Sequence, residues 1–252
     1  MGVHAIDEVA VVIPAHNEEL LIVPCLDAVR VAVCRAEAQS SVRCRVIVVL
    51  DACGDHTADL VADFPFVEVE TVDRRNVGAA RAQGVARATN GVRMLERLWI
   101  ANTDADSIVP VHWITHQLTL ARGGAALLIG SVRPFGDEMS ADQYRAWVKR
   151  ETADPAQIHV HGANLGVRAD VYSAVGGFDP HPEHEDVMLV DRVIAFGAPA
   201  RATDGCCVAT SARRHGRTPG GFAAHLRDNY PTGVRDLAGA PPRAPNDDGG
   251  RR

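Results

Sequence analysis

Two carboxylates one residue apart, Asp104 and Asp106, close the stretch Leu98–Ser107 (LWIANTDADS). The apolar run Leu98, Trp99, Ile100 and Ala101 reads as a buried strand, so the acids fall at its carboxyl end. Carboxylates resist burial unless a positive group meets them. A turn at the strand end can swing both toward one divalent cation. Hard oxygen ligands suit Mg2+ or Mn2+, which also take oxygens from a diphosphate. A pair of this kind is equally what a turn looks like when its aspartates bond to backbone N–H groups, so the rest of the chain has to decide.

The elements that must position this pair follow from the pattern. Val9–Ile13 (VAVVI), ended by Pro14, reads as a parallel core strand, and Arg45–Leu50 (RVIVVL), ending at Asp51, as a second. A helix is expected to open at His16-Asn17-Glu18-Glu19 and run to about residue 38, disturbed near Pro24. The next helix starts near Thr57. Residues 66–72 alternate as a third strand, and residues 76–90 form a helix rich in small residues. Leu98–Ala101 is the fourth strand, a helix spans about 110–121, and residues 125–132 make a fifth strand. Such β-α alternation predicts one mostly parallel sheet with helices on both faces, an α/β, Rossmann-like fold. Residues 133–160 read as a helical excursion. His161–Gly166 reads as a turn-rich segment before a short helix over 169–175, and an amphipathic helix follows over 187–196. A strand near 199–210, a basic loop (SARRHGRTPGG, 211–221) and a last helix, Phe222–Asn229, complete the pattern. The expected organisation is one domain over 1–238, with halves 9–132 and 133–238, and a disordered tail over 239–252.

Composition narrows the function classes. A net charge of -6 in 252 residues argues against wholesale nucleic-acid binding. No apolar stretch approaches the ~20 residues that span a bilayer. Six scattered cysteines, with no C-x-x-C, fit a reducing cytoplasmic setting better than a disulfide scaffold. The first residues lack the basic-then-apolar layout of a signal peptide. The first strand is not followed by G-x-G-x-x-G, and G-x-x-x-x-G-K-[ST] occurs nowhere, which argues against a dinucleotide dehydrogenase and a P-loop nucleotidase. Ligands of open α/β sheets bind beyond the carboxyl ends of the strands. Those ends carry Pro14–Glu18, Asp51–Asp55 and Asn102–Asp106, which points to one crevice for a nucleotide-sized, metal-bridged ligand.

Six segments in order carry a resemblance: VVIPAHNEE (11–19), VIVVLDACGDHT (46–57), NVGAARAQGVARA (76–88), IANTDADS (100–107), GANLGVRADVYSAVGGFD (162–179) and EDVMLVDRV (185–193). Together the chain resembles the family 2 glycosyltransferases of GT-A fold. That resemblance implies inverting transfer of a sugar from a nucleoside-diphosphate sugar, UDP-linked as first expectation and GDP-linked as second, with Mg2+ or Mn2+. By the same resemblance Asp106 holds the metal and Asp104 lies near the ribose or metal. Asp51 bonds the base or ribose, and Pro14, Ala15, His16 and Glu18 embrace the nucleoside, with His16 stacking on the base. Arg81 helps hold the nucleotide. Gly162, Ala163 and Asn164 approach the donor sugar and acceptor. Asp186 matches the general base, and Glu185 competes for that role. His215, in the basic loop, is a candidate third metal ligand, although a solvated basic loop reads equally well. A sugar-phosphate nucleotidyltransferase is the alternative enzyme class, and it would want a glycine-rich basic loop where this chain has PAHNEE. A non-catalytic nucleotide-sugar-binding protein is the other alternative.

Overall fold

The computed structural model describes residues 5–136, 138–151, 159–181, 183–213, 216 and 221–230. The first half runs β1 (Glu8–Ala15), α1 (Ile22–Gln39), β2 (Arg43–Asp51), α2 (Thr57–Ala62), β3 (Val67–Val72), α3 (Val77–Thr89) and β4 (Leu98–Asn102). The two-residue β5 (Ser107–Ile108), α4 (Trp113–Arg122), β6 (Leu127–Phe135) and α5 (Ala141–Glu151) follow. A 3-10 turn, Gly162–Asn164, then leads into β7 (Leu165–Arg168) and α6 (Ala169–Ala174). Last come α7 (Glu185–Ala195), β8 (Ala200–Ser211) and α8 (Phe222–Asn229).

All eight strands form one sheet in the order β3-β2-β1-β4-β7-β6-β8-β5. The block β3-β2-β1-β4 is parallel, as the alternation requires. β7 then enters antiparallel to both β4 and β6. β8 runs parallel to β6, and β5 antiparallel to β8. The α/β architecture is as expected. The correction is β7 (LGVR): its first two residues, Leu165 and Gly166, lie inside the segment read as turns, and no strand was expected there.

Every β1 residue from Val9 to Ile13 is fully buried, because helices cover both faces and successive side chains point opposite ways. Val9, Val11 and Ile13 join a core with Leu26 and Val29 of α1 and Ile114 and Leu118 of α4. Ala10 and Val12 join a second core with Val85 of α3 and Leu189 and Val193 of α7. A smaller cluster, Trp147, Ala212, Leu226 and Tyr230, packs α5 against α8.

The first helix begins later than its acids suggested. Asn17 adopts φ 55°, a left-handed turn no helix continues through. The Glu18 N–H donates to Thr57 Oγ1 (2.8 Å), and the Glu19 N–H to Asp55 Oδ2 (3.1 Å). The Glu18 carbonyl instead accepts from Leu21 and Ile22, so α1 opens at Ile22 with Pro24 inside its first turn, where a missing N–H costs nothing. All six cysteines are free thiols. Among the described residues no helix is long and apolar enough to cross a membrane. The 239–252 tail lies outside the described residues, as do the domain limits expected at 1 and 238.

Candidate active site

Register brings the strand ends to one edge: Ala15 of β1 lies beside Leu50 of β2, and Val12 beside Asn102 of β4. Beyond that edge opens a cavity of about 780 Å³. Pro14, Ala15, His16, Glu18, Asp51 and Arg81 line it on the β1–α3 side. Asp104, Asp106, Gly162, Ala163, Glu185 and Asp186 line it on the other. Residues as far apart in the chain as Pro14 and Asp186 therefore share one hollow. His215 lies outside the described residues.

Three of the expected residues are also held by contacts within the chain. Asp51, 3% exposed, is held by the chain at the edge of the cavity it lines. Its Oδ1 accepts from the Arg74 and Arg75 N–H groups (2.6 and 2.8 Å) and its Oδ2 from the Asn76 N–H (2.8 Å). It anchors the entry to α3, whose N-cap is the Asn76 side chain, accepting from Ala79 N–H (2.9 Å). Asn164, 1% exposed, follows the cavity-lining Gly162 and Ala163 but does not itself line the cavity. Its amide donates to the Ser131 and Cys206 carbonyls (2.9 and 2.8 Å), and its oxygen accepts from Trp113 Nε1 (2.9 Å). Arg81, 2% exposed, is a bracket. It donates from Nε to Glu185 (3.1 Å), from Nη1 to the Gly162 carbonyl (3.0 Å), and from Nη2 to Asp104 (2.5 Å).

Gly162 is where these lines cross. Its carbonyl faces Arg81, and its N–H donates to Asp186 Oδ2 (2.7 Å). A Cβ there would lie 2.3 Å from Arg81 Nη2. Gly162→Ala is therefore expected to push the guanidinium off Glu185 and Asp104, costing ~1–3 kcal/mol of stability. Urea unfolding checks this; an unchanged midpoint would show that the bracket yields freely.

The two acids opening α7 are not equivalent. Glu185 is buried, its carboxylate held by Arg81, and burial raises its pKa against the opposing pull of that arginine. Asp186 is half-buried; its Oδ1 accepts from the Val187 N–H (2.8 Å) at the positive end of the helix. With one acceptor site filled on each oxygen, it keeps lone pairs for a donor in the cavity.

Asp106 sits deep against β8. Its Oδ1 accepts from Thr210 Oγ1 (3.3 Å), and its Oδ2 pairs with Arg213 (3.0 Å). Arg213 also forks onto Glu18 (2.7 and 2.9 Å). Burial pushes the Asp106 carboxyl up to about 7; Arg213 opposes the shift, and Asp104 and Glu18 add to it. Since Asp106 and Glu185 hold their protons more tightly folded than unfolded, both favour the fold in acid. That contribution is lost as pH rises, for Asp106 through about 7.

Among the described residues, seven carboxylates (Glu18, Asp51, Asp104, Asp106, Glu183, Glu185, Asp186) and three guanidinium groups (Arg75, Arg81, Arg213) line the cavity. Four non-glycine residues with positive φ border these acids: Asn17, Ala52, Arg75 and His184. Backbone strain of this kind gathers where a ligand must be met in a set geometry. The opposite wall is aromatic. The half-buried His161 ring stands edge-on to Phe222 (5.7 Å), Phe222 stacks on His225 (6.3 Å), and desolvation lowers the His161 pKa to about 4. Sequence reasoning missed Phe222 and His225 as site residues, because nothing in a helix that starts directly after the basic loop marks a cavity wall.

Comparison with known proteins adds what geometry alone leaves open. The model of Glycosyl transferase family 2 matches residues 10–173. The chain belongs to glycosyl transferase family 2. A search of curated proteins found no match. Among solved structures, this family 2 chain is similar to S. aureus TarS 1-349 in complex with UDP, with 12% identity and a TM-score of 0.61 over 82% of this chain and 61% of that one. It is similar to the mannosyltransferase PcManGT from Pyrobaculum calidifontis in complex with GDP-Man and Mn2+, at 18% identity and TM-score 0.60, covering 83% and 58%. It is also similar to M. tuberculosis glucosyl-3-phosphoglycerate synthase in complex with UDP, at 19% identity and TM-score 0.54, covering 83% and 73%. At these identities the likeness establishes the GT-A fold. The chain spans 61% of the TarS fragment and 58% of the mannosyltransferase.

Proposed function

We propose that the chain transfers a sugar from a nucleoside-diphosphate sugar to an acceptor hydroxyl, with inversion at the anomeric carbon and with the help of Mg2+ or Mn2+. The observation that carries this is the meeting of Asp104, Asp106 and Asp186 around one cavity in a chain of glycosyl transferase family 2. The nucleoside side is the β1–β2 edge, where His16 Nδ1 donates to the Asp51 carbonyl (2.6 Å) and so presents a fixed ring. UDP is the first donor nucleotide to try and GDP the second, since relatives of this fold hold each.

Among the described residues no group of three or more His, Cys, Asp or Glu stands arranged to hold a metal ion. The donor set suits the other mode, in which one or two carboxylates share the cation with substrate phosphates. Among the described residues the carboxylates lining the cavity outnumber the guanidinium groups, which favours a diphosphate that arrives with a cation. Asp106 and Asp104 would hold that cation, which supplies Lewis-acid neutralisation of the departing nucleoside diphosphate. Asp186 accepts the acceptor hydroxyl's proton as its oxygen bonds to the anomeric carbon; the bond from that carbon to the diphosphate breaks on the far side. Arg81 and the Gly162 N–H fix Asp186 and Asp104 relative to each other. The six free thiols support a reducing, cytoplasmic setting.

MnCl2 with UDP or GDP is expected to raise the melting temperature by about 5–10 °C at about a hundredfold excess over Kd. Asp106→Asn should lose most of that shift. Thermal scans with each nucleotide check it, and an equal shift in the variant would move the metal elsewhere. Pyrophosphate release from a labelled nucleoside triphosphate and a sugar phosphate would instead favour the nucleotidyltransferase.

A further inference from the structure

Asp106 already has a cationic partner, Arg213. Arg213 spans two buried carboxylates, Glu18 through both terminal nitrogens and Asp106 through Nη2. Its backbone is tied to the same place. The Ser211 N–H donates to the Asp106 carbonyl (3.1 Å), and the Arg213 N–H donates to Ser211 Oγ (3.3 Å). β5 and β8 hold Asp106 and Arg213 together through the pairing of Ser107 with Thr210. The main chain on the Asp106 side is thus tied down by hydrogen bonds, and the long Arg213 side chain reaches into the cavity it lines.

A guanidinium and a divalent cation cannot share one buried carboxylate oxygen, since their mutual repulsion is strong where water is scarce. A diphosphate offers a guanidinium the same forked, doubly anionic partner that Glu18 and Asp106 provide. We infer that Arg213 is an exchangeable counterion: it competes with the divalent cation for Asp106, and the nucleoside diphosphate admits the cation by drawing Arg213 onto its own oxygens. This rests on the metal-assisted reading above. It assigns Arg213 a positioning role beyond it, making cation and nucleotide bind together rather than separately.

Mn2+ uptake followed by electron paramagnetic resonance tests this without any turnover. With MnCl2 alone, Arg213→Gln is expected to bind at least ~10-fold tighter than the unaltered protein, because the competitor is gone. With MnCl2 plus UDP or GDP it is expected to bind ~10-fold weaker, because the diphosphate loses its forked partner. Equal affinity for Mn2+ alone in both proteins overturns the inference while leaving the metal-assisted reading intact, provided nucleotide still tightens Mn2+ binding and Asp106→Asn abolishes it. If neither nucleotide tightens Mn2+ binding in the unaltered protein, both fail. Should Arg213→Gln not fold, Arg213→Lys decides: one ammonium cannot fork across two carboxylates, so both affinities shift in the same directions by several-fold, and unchanged affinities overturn the inference.

Discussion

An Asp186→Asn variant is expected to turn over about 10²–10⁴-fold more slowly while binding nucleoside diphosphate as before. The amide fits the same space and can keep its oxygen on one of the two N–H groups that Asp186 accepts from, Gly162 or Val187. What it cannot do is take a proton from an attacking hydroxyl. Glu185 is no substitute, because its carboxylate is buried on Arg81. Single-turnover rates and nucleotide affinity, measured side by side, separate the two effects. Loss of both together would mean that Asp186 is needed for the shape of the cavity. Near-normal turnover would remove it from the chemistry.

The largest effect on stability is expected from Arg81→Met, a loss of about 3–5 kcal/mol. The guanidinium lies at 2% exposure with Glu185 at 5%. Removing it strands a buried carboxylate and frees Asp104 and the Gly162 carbonyl from their partner. Denaturant unfolding of Arg81→Met, Glu185→Gln and the double variant closes a cycle; the double should recover a good part of the single's loss. Purely additive losses would show that Arg81 and Glu185 do not act as a pair.

How far the sequence reached depends on whether a feature is local. The parallel strands were legible because β-branched runs such as Val9–Ile13 are buried on both faces, and the last helix, Phe222–Asn229, lies where its pattern put it. β7 was not legible. LGVR holds four residues, and its Gly166 is set by a distant neighbour: a Cβ there would come within 2.6 Å of the Trp99 ring. The start of α1 was misplaced because Glu18 and Glu19, which look like first-turn acids, are held by Thr57, Asp55 and Arg213. Which acids gather was readable from strand ends. Which arginine holds which acid was not, since Arg81 and Glu185 lie 104 residues apart and Arg213 and Glu18 lie 195 apart.

The account stands most directly on where a cation and a nucleotide settle. Anomalous diffraction from crystals soaked in MnCl2 with UDP or GDP measures this. The expected result is one Mn2+ peak about 2.1–2.2 Å from an Asp106 carboxylate oxygen, bridged to the diphosphate, with the nucleoside against His16 and the Asp51 turn. A nucleotide bound outside this cavity, or Mn2+ bound away from both Asp104 and Asp106, would contradict it.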